Sequence, residues 1–131
     1  MVEWHNKSKR LSTGGRRTTI RRCTKKNAWR GGLAANTGTG KDERETNRGI
    51  GNTQKIRATS TKFANVLDNS TKKTAKAEII AVTENNANRL FARANIITKG
   101  AKIKVKIGSD EKVAVVKSRP GQNGIVNAIL E

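Results

Sequence analysis

The chain has 131 residues, a formal net charge of +18, one cysteine (Cys23) and one histidine (His5). That length bounds it to a single small domain whose core is adequate but marginal, and the lone Cys and His exclude an intrachain disulfide and an ordinary zinc site. The start at Met1-Val2-Glu3-Trp4-His5 lacks the apolar run of a signal peptide, and no segment approaches the ~20 apolar residues of a membrane span, so a soluble, cytoplasmic protein is expected.

Charge and apolar content are split along the chain. Residues 1–62 hold 16 Lys and Arg against 4 Asp and Glu, with 9 large apolar side chains; residues 63–131 hold 12 against 6, with 20. Hydrophobic burial therefore organises the second part, while the first needs a polyanion to neutralise it. Residues 5–45 show neither a period of 2 nor one of 3.6, and eight of the 12 glycines fall before residue 52. An extended basic arm over residues 1–45 is expected, leading into a domain over 46–131. At a ceiling of ~3.3 Å per residue, thirty such residues reach on the order of 100 Å.

The arm carries Lys7, Lys9 and Arg10, then Thr13-Gly14-Gly15-Arg16-Arg17, Arg21-Arg22, Lys25-Lys26 and Arg30. Arg forks match phosphate oxygens, and glycine lets a phosphate approach the backbone. A merely solubilising tail would need charge alone, whereas Thr, Ser and Asn add donors for phosphate and 2′-hydroxyl oxygens. Trp4 and Trp29 lie within this basic segment, where an indole either stacks on an unpaired base or docks back onto the domain. His5 has no acid or base partner and is expected to contact RNA or solvent. Cys23 has cationic neighbours but no second nucleophilic partner, so it is a bystander. Gly38-Thr39-Gly40-Lys41 falls short of a phosphate loop because Asp42 breaks the spacing and no apolar strand precedes it. Asp42, Glu43 and Glu45 alternate with Lys41 and Arg44, which balances charge locally rather than building a metal site.

From residue 52 the texture becomes β-like, with short segments expected at 53–59, 62–67, 76–83, 89–98, 101–107, 112–118 and 124–130. Such spacing suggests a small barrel or sandwich. Across 89–98, strand alternation would put Leu90, Ala92, Ala94 and Ile96 in the core and Arg89, Phe91, Arg93 and Asn95 on an RNA-facing surface. Lys102, Lys104 and Lys106 alternate with Ile103, Val105 and Ile107; these lysines face either RNA or an exposed edge where they block aggregation. Gly108-Ser109-Asp110-Glu111 turns residues 101–118 into one hairpin. Pro120-Gly121 and Asn123-Gly124 mark turns that leave Arg119 at a loop entrance and start a last strand at Ile125.

Several separated segments together resemble the S8e family of small-subunit ribosomal proteins: Trp4-His5 with Ser8, Lys9 and Arg10; Thr13-Gly14-Gly15-Arg16; Arg48 with Gly51-Asn52 and Lys55; Asn85 to Asn88 with Arg93 and Asn95-Ile96-Ile97-Thr98-Lys99-Gly100-Ala101; and Ser118-Arg119-Pro120-Gly121-Gln122 with 124–130. The chain departs from the family pattern at Asn6-Lys7, at Asn27-Ala28-Trp29 and at Asn86. The resemblance implies an all-β fold, a small closed antiparallel β-barrel of about six strands with a long irregular basic N-terminal extension, in the short archaeal form. It also implies RNA contacts at Arg48, Asn52, Lys55 and Arg57, on the barrel side at Arg89, Arg93, Asn95, Lys99 and Arg119, and along the arm. The expected function is a structural, non-enzymatic constituent of the small ribosomal subunit that binds ribosomal RNA beside neighbouring ribosomal proteins, with no cofactor, metal, small-molecule substrate or membrane. A free-standing RNA chaperone using the same surfaces is the alternative.

Overall fold

A computed structural model describes residues 2–17 and 25–131; the expectations for Arg21, Arg22 and Cys23 fall outside them. The chain divides into two compact units, Met1–Ala34 and Ala35–Glu131. In the first, β1 (Glu3–Trp4) pairs antiparallel with β2 (Arg30–Gly31), and a single 3-10 turn, Asn27–Trp29, leads into β2. The His5 amide donates to the Trp29 carbonyl at 2.9 Å and continues this ladder.

The second unit opens with a three-stranded sheet. Its strands are β3 (Gly38–Thr39), β4 (Glu43–Arg48) and β5 (Gln54–Thr61), in the order β3-β5-β4 with β4 antiparallel to β5. The closed barrel follows: β6 (Phe63–Leu67), β7 (Thr74–Glu84), β8 (Lys102–Ile107), β9 (Asp110–Val116) and β10 (Asn127–Leu130), in the order β10-β6-β7-β8-β9. Neighbours are antiparallel except β10 on β6, which is parallel. Pairing β10 with both β6 and β9 leaves no open edge, which removes a template for aggregation.

Alternation decides what fills the barrel. Ala64 and Val66, Ala77 and Ile79, Ile103 and Val105, Ala114 and Val116, and Ala128 point inward and are buried, joined by Ile97, Ala101 and Val126 from the connections. A barrel of five strands is narrow, so alanines must face the larger β-branched residues for the layers to interdigitate. No aromatic ring belongs to this core.

Three expectations need correction. First, five strands close the barrel rather than about six: residues 53–59 become β5 of the separate sheet, and residues 89–98 are not a strand at all. Arg89–Arg93 forms helix α1, started by Asn88, whose side chain accepts from the Leu90 amide at 2.9 Å. Arg, Leu, Phe and Ala are adequate helix formers, and a cap suffices to tip so short a segment. Leu90, expected in the core, is 60% exposed, and Ile97 rather than Ile96 is buried. Second, the last strand starts at Asn127, because Pro120–Asn123 closes one helical turn, α2, ended by Gly124 in the left-handed region at φ 68. Third, residues 35–45 are not wholly irregular: they carry β3 and the first part of β4, so the arm and domain expected to meet at residue 45 meet inside a strand. The hairpin over residues 101–118 is present, with Ile107 opposite Asp110 and Gly108 at φ 64.

Two glycines separate backbone strain from crowding. A Cβ on Gly108 meets nothing within 4 Å, whereas one on Gly124 lies 2.7 Å from Ile56 Cγ2. Gly108→Ala is expected to cost about 1 kcal/mol through positive φ alone, and Gly124→Ala roughly 2–4 kcal/mol because crowding adds to strain. Urea unfolding of both variants checks the ranking; equal midpoints would show that α2 does not seat tightly on β5.

Candidate nucleic-acid interface

The basic residues at 9–17 are held in a definite local structure. Residues 9–17 form a tight hairpin in which the Gly14 amide donates to the Leu11 carbonyl (3.0 Å), the Leu11 amide to the Gly15 carbonyl (2.8 Å) and the Arg17 amide to the Lys9 carbonyl (3.0 Å). Gly14 takes φ 87, the left-handed position that closes a three-residue hairpin loop. The fold thus has a use for Thr13-Gly14-Gly15 that is independent of any ligand. Arg10 bridges to Arg16 across the hairpin, and Lys9, Arg10, Arg16 and Arg17 are all exposed.

Around β1 and β2, cations lie over both indoles: Lys25 Nζ is 5.9 Å from the Trp4 ring and Lys26 Nζ 5.7 Å from the Trp29 ring. Each contact is worth about 0.5–1 kcal/mol at an exposed site. The His5 ring lies against Gly31, where a Cβ would come within 2.5 Å of its Nε2. Glycine there lets the imidazole cross β2 at backbone distance. Arg30 is exposed beside it, opposite Trp4 in the ladder.

In the second unit the β4–β5 hairpin presents four expected residues. Lys55 lies opposite Asn47 and Arg48 opposite Gln54, while Asn52 at φ 61 lies in the connecting turn. With the Asn47 amide turned so that its oxygen rather than its nitrogen faces Arg57, it accepts from Nε and Nη1, each at 3.1 Å. Alternation separates Lys55 and Arg57 from Arg48, so these cations occupy both faces of the hairpin.

The connection between β7 and β8 carries Arg89, Arg93, Asn95 and Lys99. On α1, Arg89 and Arg93 are four residues apart and share one face, Phe91 is turned away from it, and Asn95 lies beyond the helix end at φ 52. The expected single row of Arg89, Phe91, Arg93 and Asn95 is therefore divided in two. Asn95 Oδ1 accepts from the Val82 amide at 3.1 Å, occupying a strand donor that the register shifts in β7 leave over. Lys99 is exposed, on a turn that Gly100 closes at φ 85. Arg119 is exposed and immediately precedes α2, which packs on β5.

Two polar side chains that sequence reasoning left aside hold these connections. Asn85 is buried; its Nδ2 donates to the Ile96 carbonyl (3.1 Å), and its Oδ1 accepts from the Ala87 amide (3.0 Å) and the Thr98 hydroxyl (2.9 Å). The Ser118 hydroxyl donates to the Ile125 carbonyl (2.9 Å) and accepts from the Asn127 amide (2.8 Å). The cluster of asparagines at 85–88 was a visible turn signal, but the burial of one of them was not.

Four carboxylates on or beside barrel strands pair with lysines. Lys102 pairs with Glu131 (3.0 Å) and Glu84 (3.8 Å), Lys104 with Glu111 (2.6 Å), and Lys62 with Glu78 (3.1 Å). The hydrogen bond and charge of Glu131 raise the Lys102 pKa, and Lys104 lowers that of Glu111. Two of the three alternating lysines are thus strand-to-strand ion pairs. Arg10, Arg16, Arg89, Arg93, Lys99 and Arg119 take part in no ion pair among the described residues.

Residues 4–131 match the family described as Ribosomal protein S8e. The small ribosomal subunit protein eS8 of Methanocorpusculum labreanum is 42% identical over 127 residues, 97% of each chain. Its counterpart in Methanospirillum hungatei is 37% identical over 129 residues, 98% of each, and that of Ignicoccus hospitalis 38% identical over 131, covering 99% of this chain and 97% of its own.

Asn85→Ala removes three bonds to one buried connection, at about 1 kcal/mol each, so a loss of roughly 2–4 kcal/mol is expected. Amide exchange should accelerate at Ala87 and across 95–99 ahead of the barrel strands; uniform acceleration would mean that Asn85 supports the whole fold rather than this loop.

Proposed function

The chain belongs to the ribosomal protein S8e family, and from that premise we propose that it is a structural, non-catalytic part of the small ribosomal subunit in the cytoplasm. Its basic N-terminal segment and the cations around the barrel bind ribosomal RNA, and neighbouring ribosomal proteins complete its surroundings. The observation that carries this reading is the hairpin of residues 9–17, which displays Lys9, Arg10, Arg16 and Arg17 without a carboxylate partner among the described residues.

Four like charges on nine residues repel one another unless a polyanion lies beside them. Phosphates supply that charge, and the bare backbone at Gly14, where a Cβ would meet nothing within 4 Å, leaves room for a phosphate to approach. Outside the arm, Arg89 and Arg93 on one helix face, Lys99 on its turn and Arg119 before α2 add further phosphate contacts. The barrel fixes their spacing, and the sugar-phosphate backbone of a folded RNA is the ligand whose spacing they address.

Full-length protein is expected to travel with small subunits in a sucrose gradient at high magnesium; protein confined to the top of the gradient would refute the ribosomal role. Replacing Arg10, Arg16 and Arg17 together by Gln should weaken binding to ribosomal RNA fragments and lower the slope of log K against log salt by about 2–3, near 0.7–0.9 for each lost phosphate contact. An unchanged slope in fluorescence anisotropy titrations would remove the hairpin from the interface.

A further inference from the structure

We infer that the outer face of the barrel carries a site for an unpaired RNA nucleotide, centred on the Phe63 ring and separate from the phosphate contacts described above; this rests on the RNA-binding reading. Alternation along β6 sends Ala64 and Val66 into the core and turns Phe63, Asn65 and Leu67 outward. The register then places Phe63 opposite Glu78 and Asn65 opposite Lys76 on β7, and Asn65 beside Asn127 on β10. Lys76 Nζ lies 4.2 Å and Lys62 Nζ 5.6 Å from the Phe63 ring centroid. Glu78, the carboxylate nearest in register, is already paired with Lys62 at 3.1 Å. The Asn65 amide nitrogen donates to Asn127 Oδ1 at 3.2 Å, which leaves Asn65 Oδ1 as an acceptor and the Asn127 amide nitrogen as a donor for a ligand.

Each part answers a need of an unpaired base. The ring offers a stacking face, the two amides a hydrogen-bonding edge, and Lys76 a charge for the attached phosphate. Residues two apart on one strand face lie ~6.6 Å from each other, so the amide pair is within reach of the edge of a base stacked on Phe63. Phe63 does not belong to the barrel core, so interior packing gives no reason for an aromatic ring here. The Phe63 ring is half-buried at the barrel surface, where a cation over a ring is held weakly, and Lys76 moves from ring to phosphate at little cost. An acidic protein segment would engage the lysines but leave the ring and both amides unused.

The test compares a single-stranded RNA tetranucleotide with a fully paired RNA duplex, using full-length protein. The tetranucleotide is expected to shift the Phe63 ring protons and the side-chain amides of Asn65 and Asn127 in NMR spectra. Phe63→Ala should weaken tetranucleotide binding about tenfold, the scale of one lost base stack, while duplex binding stays unchanged. Phe63→Leu keeps apolar bulk without an aromatic face and should lose binding equally, carrying the test if the alanine variant does not fold; Phe63→Trp should restore it. Equal tetranucleotide affinity in the wild-type and Leu variants, with duplex binding intact, overturns this site and leaves the RNA-binding reading standing. Absence of both duplex and tetranucleotide binding in the wild type overturns both. A polyglutamate peptide that moves the Phe63 resonances where the tetranucleotide does not would make this a protein-docking face and sink the inference.

Discussion

The pairing of β10 with two strands at once is the interaction on which the second unit depends. β10 is four residues long, yet it lies parallel to β6 and antiparallel to β9 and so closes the barrel. Without it, β6 and β9 would each expose unpaired amides and carbonyls, and Ala64, Val66 and Val116 would lose the wall provided by Ala128. Closure also dictates the connections. The chain must pass from the end of β9 to the start of a strand lying beside it, and α2, Gly124 and the Ser118 hydroxyl make that passage within ten residues. The β7–β8 connection, with its capped helix and buried Asn85, is anchored on the same closed wall.

The distribution of charge follows from that frame. Glu78, Glu84, Glu111 and Glu131 lie on or at the ends of barrel strands, where cross-strand lysines meet them. These exposed pairs contribute little energy individually, but they occupy the carboxylates closest to the sheet. Among the described residues, Arg10, Arg16, Arg89, Arg93, Lys99 and Arg119 on turns, caps and the arm hairpin form no ion pair, and neither do Lys76, Lys106 and Lys112 on barrel strands. A surface arranged this way attracts a polyanion to its loops and to the strand positions whose lysines stay unpaired. The Phe63 patch carries one of these unpaired strand lysines, Lys76, beside a carboxylate, Glu78, that Lys62 already pairs.

Small polar side chains, rather than bulk, shape the connections that display these cations. Asn85, Asn95, Thr37 and Ser118 each bind buried or part-buried backbone groups that would otherwise go unsatisfied, while Asn88 caps α1 at the surface. This explains how a chain with few large apolar residues keeps ordered loops: directional bonds replace the burial that a longer domain would use. It also gives the asparagine-rich stretch after β7 a reason within the fold, apart from any contact with RNA.

The charge split, the turn at Gly108 and the alternation of Lys102 to Ile107 were legible because each depends on neighbours a few residues away. The same alternation rule misread residues 89–98, since Leu90, Ala92 and Ala94 mimic a strand while the Asn88 cap and the buried Asn85 select a helix. Arg89 and Arg93 share a face at either period, so their proximity survived the wrong element, whereas Phe91 and Asn95 were separated from them. The sequence by itself determined composition, the division between a cation-rich segment and a core-bearing one, the local turns and the family resemblance. Only the tertiary structure decided how many strands close the barrel, which asparagines are buried, and that Lys76 lies over Phe63 and Asn127 beside Asn65. Those outcomes depend on register between residues up to 62 positions apart, as in the Asn65–Asn127 bond, and no local period encodes which distant strand completes a sheet.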